Sequence, residues 1–148
     1  MTPFVVDSSV VFKWYRQPGD EDYVAQAVSI LERHLHGDFE IHVPDLLFYE
    51  LGNILRFKEG LVSKDGLTIL RETFALALQI HSIGYFLAEE ALRFSQKHDI
   101  TFYDASFVAL SYLLQASFIT ADRKLFEKIK TLPTAMFLGN LSRLDGLS

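Results

Sequence analysis

Four acidic residues, Asp7, Glu50, Asp104 and Asp122, stand in short motifs with apolar or aromatic neighbours. The motifs are Val5-Val6-Asp7-Ser8-Ser9, Phe48-Tyr49-Glu50-Leu51-Gly52-Asn53, Tyr103-Asp104-Ala105 and Thr120-Ala121-Asp122. Moving a carboxylate out of water costs stability unless a partner compensates, and a set of such acids calls for a cation. Carboxylates are hard oxygen donors, so the ion that suits them is Mg²⁺ or Mn²⁺. Cysteine is absent, which removes thiolate zinc sites, thiol nucleophiles and disulfides and fits a reducing cytoplasm. The five histidines show no zinc spacing. His34 and His36, two apart on a helical pattern, point to different faces, so all five are read as structural or surface residues.

The elements that must position these acids alternate between strand and helix. Pro3 to Asp7, Phe39 to Val43, Gln79 to Ile83, Ser117 to Thr120 and Met136 to Leu138 read as strands. Helical patterns run from Tyr23 to His36, Leu46 to about Glu59, Ser63 to about Ala77, Leu87 to His98, Phe102 to Gln115 and Asp122 to Lys130. Asp45, Ser63 and Thr101 are candidate caps, and Gly60 closes the helix before it. Alternation of this kind predicts a parallel sheet covered on both faces. Asp7 and Asp122 then lie just beyond the carboxyl ends of parallel strands, where open α/β sheets bind ligands. Glu50 falls on the helix arc of Leu47, Ile54 and Phe57, expected to face the sheet, with Asn53 able to reach the same side. Asp104 lies in the first turn of its helix, where the macrodipole favours the ionised form. Gly52, inside a helix at a cost of roughly 1 kcal/mol relative to Ala, is expected to mark a close contact.

Structural roles compete at each position. Thr101-x-x-Asp104 has capping-box spacing and Asp122 before a helix is an N-cap; both roles are compatible with metal ligation. Glu50 can pair with Arg56 or Lys58. Asp7 is harder to explain this way, because Val5, Val6, Val10 and Val11 surround it. At 148 residues and 49% hydrophobic content, the chain is expected to be a single domain, residues 1–148, with a sizeable core. A net charge of −5 argues against a broad basic surface that grips nucleic acid. Four clustered acids account for most of it. No apolar run approaches the ~20 residues of a membrane span and no signal-type segment opens the chain, so a cytoplasmic protein is expected.

The ordered set V-D7-S-S, P44-x5-E50-x2-N53-x-L55, Y103-D104-A and T120-x-D122-x-x-L125 resembles the PIN domain. In its compact form the chain is similar to the VapC-type toxins of bacterial and archaeal toxin–antitoxin pairs. The resemblance runs from Pro3 to about Leu138. It implies a three-layer α/β/α fold with a small parallel sheet of four to five strands and a Mg²⁺- or Mn²⁺-dependent ribonuclease. Carried over by motif, Asp7, Glu50, Asp104 and Asp122 become the catalytic acids, with Asp7, Asp104 and Asp122 as metal ligands. Ser8, Asn53 and Thr120 become supporting polar residues. Glu50 is either the group that orients or deprotonates the attacking water or a further ligand.

An RNA substrate, a cognate antitoxin and a homodimer are the partners this implies. Lys13, Arg16, Arg123 and Lys124 lie near the acids in sequence and can meet flanking phosphates, although exposed basic residues usually solubilise. Trp14 and Tyr15 can stack on an unpaired base, or pack in the core or an interface. Phe48, Phe57, Phe74, Phe86, Phe94 and Phe107 exceed what one side of a small sheet needs, so some are expected to meet another chain. A haloacid-dehalogenase-type phosphatase would want an acid where Ser9 stands, and a dinucleotide fold would want a glycine-rich turn after the first strand. The competing function is a PIN-like RNA-binding or protein-interaction module with little catalytic activity; metal-dependent cleavage separates the two.

Overall fold

The structure is a computed structural model that describes residues 2–57 and 65–141. Its elements, in chain order, are β1 (Thr2–Val6), α1 (Ser8–Lys13), α2 (Val24–Leu35), β2 (Phe39–Pro44), α3 (Leu46–Phe57), α4 (Gly66–Phe74) and β3 (Gln79–His81). There follow α5 (Tyr85–His98), α6 (Phe102–Leu113), β4 (Ser117–Thr120), α7 (Arg123–Ile129) and β5 (Ala135–Phe137), closed by a 3₁₀ turn at Leu138–Asn140. The five strands form one parallel sheet in the order β3-β2-β1-β4-β5. Phe4, Val5 and Val6 are buried in succession, as are Phe118, Ile119 and Thr120. Successive side chains of a strand point to opposite faces, so such runs require cover on both. That cover comes from α6, which packs across β1, β2 and β4, and from α1 and α2 among the other helices.

The topology dictates where a ligand can sit. From β1 the chain adds β2 and β3 to one side, then returns to place β4 and β5 on the other. Between β1 and β4 the order reverses. The carboxyl ends of two such strands are the usual ligand site of an open α/β sheet.

Several local expectations need correction. The segment after β1 forms a short helix, α1, beyond the expected elements; its Val10, Val11 and Phe12 are all buried, so no amphipathic period is visible. Helix α4 starts from Asp65, whose carboxylate accepts the Thr68 N–H at 2.9 Å. Glu59, Gly60 and Ser63, assigned to helix closing and capping, lie outside the described residues. The buried face of α3 is Leu47 and Leu51, whereas Phe57 is 68% exposed. Around Gly52 a Cβ would meet no atom within 4 Å, so it marks no close contact. Trp14 and Tyr15 serve the interior: the Trp14 indole donates to the Ala27 carbonyl at 2.9 Å, and the Tyr15 hydroxyl pairs with Thr73. Trp14 is buried and Tyr15 half-buried. Of the six phenylalanines, Phe107 is buried and Phe48 stacks on Phe74 at 4.0 Å, while Phe57, Phe74 and Phe86 are exposed.

Candidate metal centre

Asp7 is built into the crevice by the end of β1. As N-cap of α1, its carboxylate accepts the backbone N–H groups of Ser9 at 3.1 Å and Val10 at 3.4 Å. It also accepts the hydroxyls of Ser9, on one oxygen, and Thr120, on the other. Those hydroxyls work in both directions. Ser9 Oγ takes the Ala121 N–H at 2.9 Å and Thr120 Oγ1 takes the Asp122 N–H at 3.0 Å. The two hydroxyls therefore lace the end of β4 to the end of β1 and aim the acid. Ser9 was not among the expected site residues: its backbone N–H closes an Asx-turn on Asp7, which any residue can do, and its hydroxyl's other partners are distant in sequence.

Burial outweighs these bonds. Asp7 is 5% exposed, and desolvation pushes its pKa up from 3.8 to about 7, against the pull of Ser9 and Thr120 and with a further push from the Asp104 charge. Glu50 sits half-buried on α3, and Ser8 Oγ donates to it at 3.2 Å. Burial raises its pKa, Ser8 opposes, and the Asp104 charge adds to the rise. Asp104, in the first turn of α6, is raised by burial and then by the Asp122 charge, while Thr101 lowers it. Its backbone N–H donates to Thr101 at 3.0 Å, so the predicted cap is present. Asp104 is thus electrostatically coupled to each of the other three acids.

Asp122 is exposed and caps α7 by accepting the Leu125 N–H at 3.0 Å. Capping occupies one of its oxygens, and the residue lines a cavity of about 160 Å³ with Asp104, Lys124 and Lys128. Asn53 is exposed, and Glu50 takes its hydrogen bond from Ser8 instead. Lys13 is held by Glu21 at 2.8 Å and by the Asp22 carbonyl, and Arg16 lies 3.3 Å from Glu21. Arg123 stacks over Phe137 at 4.4 Å. Of the four predicted basic residues, Lys124 is the one that lines a cavity with the acids.

The donor set fits a hard divalent ion in chemistry and charge: oxygen ligands only, three of them held at raised pKa by burial and one another. Among the described residues no three acids or histidines already close into a ligand cage.

A parallel sheet whose order reverses between two strands, each ending in an acid, defines an α/β protein with an acidic crevice at the switch point. The chain belongs to the PIN domain family, whose profile matches residues 4–132. It is 33% identical over 135 residues to Ribonuclease VapC3 of Pyrobaculum aerophilum, covering 88% of this chain and 97% of that protein. In fold it resembles a toxin–antitoxin complex chain from Klebsiella pneumoniae, with 14% identity, a TM-score of 0.65, and 90% and 96% of the two chains covered. It also resembles a chain of VapBC2 from Rickettsia felis bound to a promoter DNA fragment, at 11% identity, TM-score 0.66, and coverage of 92% and 97%.

Thr120 offers a test of the crevice that needs no substrate. Thr120→Val deletes a buried donor to Asp7 and an acceptor for Asp122 while keeping the shape, so a loss of about 1–3 kcal/mol is expected. Thr120→Ser should recover most of it. Urea melts decide; equal stability of the Val and Ser proteins would mean that the hydroxyl is not what holds Asp7.

Proposed function

We propose that this protein is a metal-dependent ribonuclease, the toxin of a toxin–antitoxin pair, that hydrolyses RNA phosphodiester bonds at the crevice between β1 and β4. One observation carries the reading: a buried carboxylate, Asp7, with a pKa near 7, coupled through Asp104 to Glu50 and Asp122 at a topological switch point. Nothing in a purely structural role calls for so much uncompensated acid. The family membership and the 33% identity to a ribonuclease support the same conclusion.

Asp7, Asp104 and Asp122 would hold Mg²⁺ or Mn²⁺. The ion supplies an acidified water and relief of charge on the phosphoryl oxygens. The protein's own part is positional. Ser9 and Thr120 fix the Asp7 carboxylate through its two oxygens, the Thr101 cap fixes the start of α6 beneath Asp104, and Ser8 steers Glu50 towards the crevice. Glu50 is the group placed to take a proton from the attacking water: partial burial keeps its pKa above the ordinary glutamate value, which strengthens it as a base. Lys124 can meet a phosphate flanking the cut.

A cognate antitoxin and a second copy of this chain are the proposed protein partners. The exposed Ile80, Ile83, Tyr85 and Phe86 give the β3–α5 edge an apolar surface suited to such contacts. No helix among the described residues is long and apolar enough to cross a membrane, consistent with action on cytoplasmic RNA. The experiment is to add purified protein to RNA with Mn²⁺, Mg²⁺ or chelator, and in parallel to express it with and without the neighbouring gene. Cleavage with metal alone and growth arrest relieved by the neighbour are expected. Cleavage that survives chelator, or unimpeded growth with cleavage, would remove the metal or the toxin half of the proposal respectively.

A further inference from the structure

A second cavity is lined by the chain neighbours of two of the acids and takes no part in the chemistry described so far. It measures about 280 Å³, and its lining includes Asp45, Tyr49, Ile83, Phe102, Tyr103 and Ser106. Tyr49 and Tyr103 immediately precede Glu50 and Asp104, and they are 76% and 62% exposed. Asp45 was expected to cap α3. Its backbone carbonyl does accept the Phe48 N–H at 3.1 Å, but no described residue bonds its carboxylate. A free acceptor thus shares a small chamber with aromatic faces, next to two of the four acids.

The size of the chamber selects among occupants. It falls just under the roughly 300 Å³ at which small-molecule pockets begin, which suits one flat ring system. An amphipathic helix would need a long groove with anchors at i, i+3, i+4 and i+7. Stacking on a tyrosine face accepts any base, and a base reaches such a chamber only when it is unpaired and splayed from its strand.

We infer that this cavity receives one unpaired base of the RNA beside the cut, stacked against Tyr49 and Tyr103, and that Asp45 reads its Watson–Crick edge in favour of guanine. Guanine presents N1–H and N2–H side by side, matching the two oxygens of an ionised carboxylate. Adenine and cytosine offer one amino group beside a ring nitrogen whose lone pair faces the acid. Uracil offers one N–H between two carbonyls. The substrate class is therefore single-stranded or looped RNA with guanine next to the broken bond, an inference that rests on the ribonuclease reading above.

Two assays separate the cavity from the chemistry. In the first, short single-stranded RNAs that differ at one position are digested with Mn²⁺. Guanine is expected beside the cut, with the preference over the other bases reduced roughly 5- to 150-fold by Asp45→Asn. Tyr49→Leu and Tyr103→Leu, at exposed positions that leave the core intact, should each slow cleavage of every sequence by a similar factor. In the second, the Asp7→Asn protein, which is expected not to cut, is titrated with fluorescent five-nucleotide RNAs centred on G, A, C or U in Mg²⁺. Tighter binding of the G-centred RNA, lost when Asp45→Asn is added, supports the inference even if no cleavage is ever seen. Equal binding of all four overturns it even if cleavage is vigorous. A sedimentation coefficient changed by Tyr49→Leu also overturns it, since a second copy of the chain would then fill the cavity.

Discussion

Asp7→Asn and Asp104→Asn proteins are expected to lose RNA cleavage while folding as well as the parent. The loss should exceed the roughly 10–100-fold that follows removal of an outer partner of a metal site, because these two residues stand at the centre of the acid set. Asp7 receives its bonds from both strand ends, and Asp104 is coupled to each of the other acids. The amide of Asn keeps one oxygen to accept the Ser9 and Val10 N–H groups, so the α1 cap survives. Initial rates on one RNA over a range of Mn²⁺ concentrations provide the measurement. If saturating metal restores full rate to both variants, the acids bind the ion weakly and the chemistry lies with other groups.

The second large effect concerns stability and has a defined sign. In chelator, the Asp7 carboxyl passes from 3.8 in the unfolded chain to about 7 in the folded protein. Below the lower value both states hold the proton and nothing is lost. Between the two, the unfolded chain gives up a proton that the folded protein keeps, so stability falls as pH rises; above the upper value the penalty is complete and the curve levels. The span corresponds to on the order of 4 kcal/mol. Glu50 and Asp104 add to the fall in the same direction, discounted because both are partly solvated. The Asp7→Asn protein should lack most of the slope and melt above the parent near neutral pH. Metal reverses the order, since an ion bound only by the folded parent adds about 2.7 kcal/mol at a hundredfold excess over Kd. Paired melts from pH 4 to 8, with chelator and with Mn²⁺, test both halves; a chelated parent as flat in pH as the variant would mean that Asp7 is already compensated without a cation.

Much of this was legible in the sequence, and the exceptions have physical causes. The strands leading to Asp7 and Asp122 were readable because buried parallel strands are short β-branched or aromatic runs bounded by polar residues. The Thr101 cap was readable from spacing alone. Helix α1 was not: six residues with three buried apolar positions in a row carry no period. The face of α3 was misjudged because a 100° wheel gives Leu47, Ile54 and Phe57 one arc, whereas the last turn of α3 leaves Phe57 in water. Helix α5 begins at Tyr85, two residues before its first buried side chain, Leu87, so the apolar pattern started late. Ser9 and Asp45 stayed hidden for opposite reasons. One hydroxyl's partners, Thr120 and Ala121, lie more than a hundred positions away, and Asp45 looked like an ordinary cap until its carboxylate was found unused.

The bond from Thr120 to Asp7 joins residues 113 positions apart, and the strands that carry them are neighbours in the centre of the sheet. A ribosome delivers the N-terminal half first. While that half waits, β1 has no β4 to pair with, Asp7 has no Thr120, and Asp104 and Asp122 have not been made. An incomplete chain therefore lacks two of the four acids and the hydroxyl that holds a third. Translation of the last third of the chain, which carries Asp104, Thr120 and Asp122, is therefore the step that completes the acid set, and no shorter N-terminal fragment holds it.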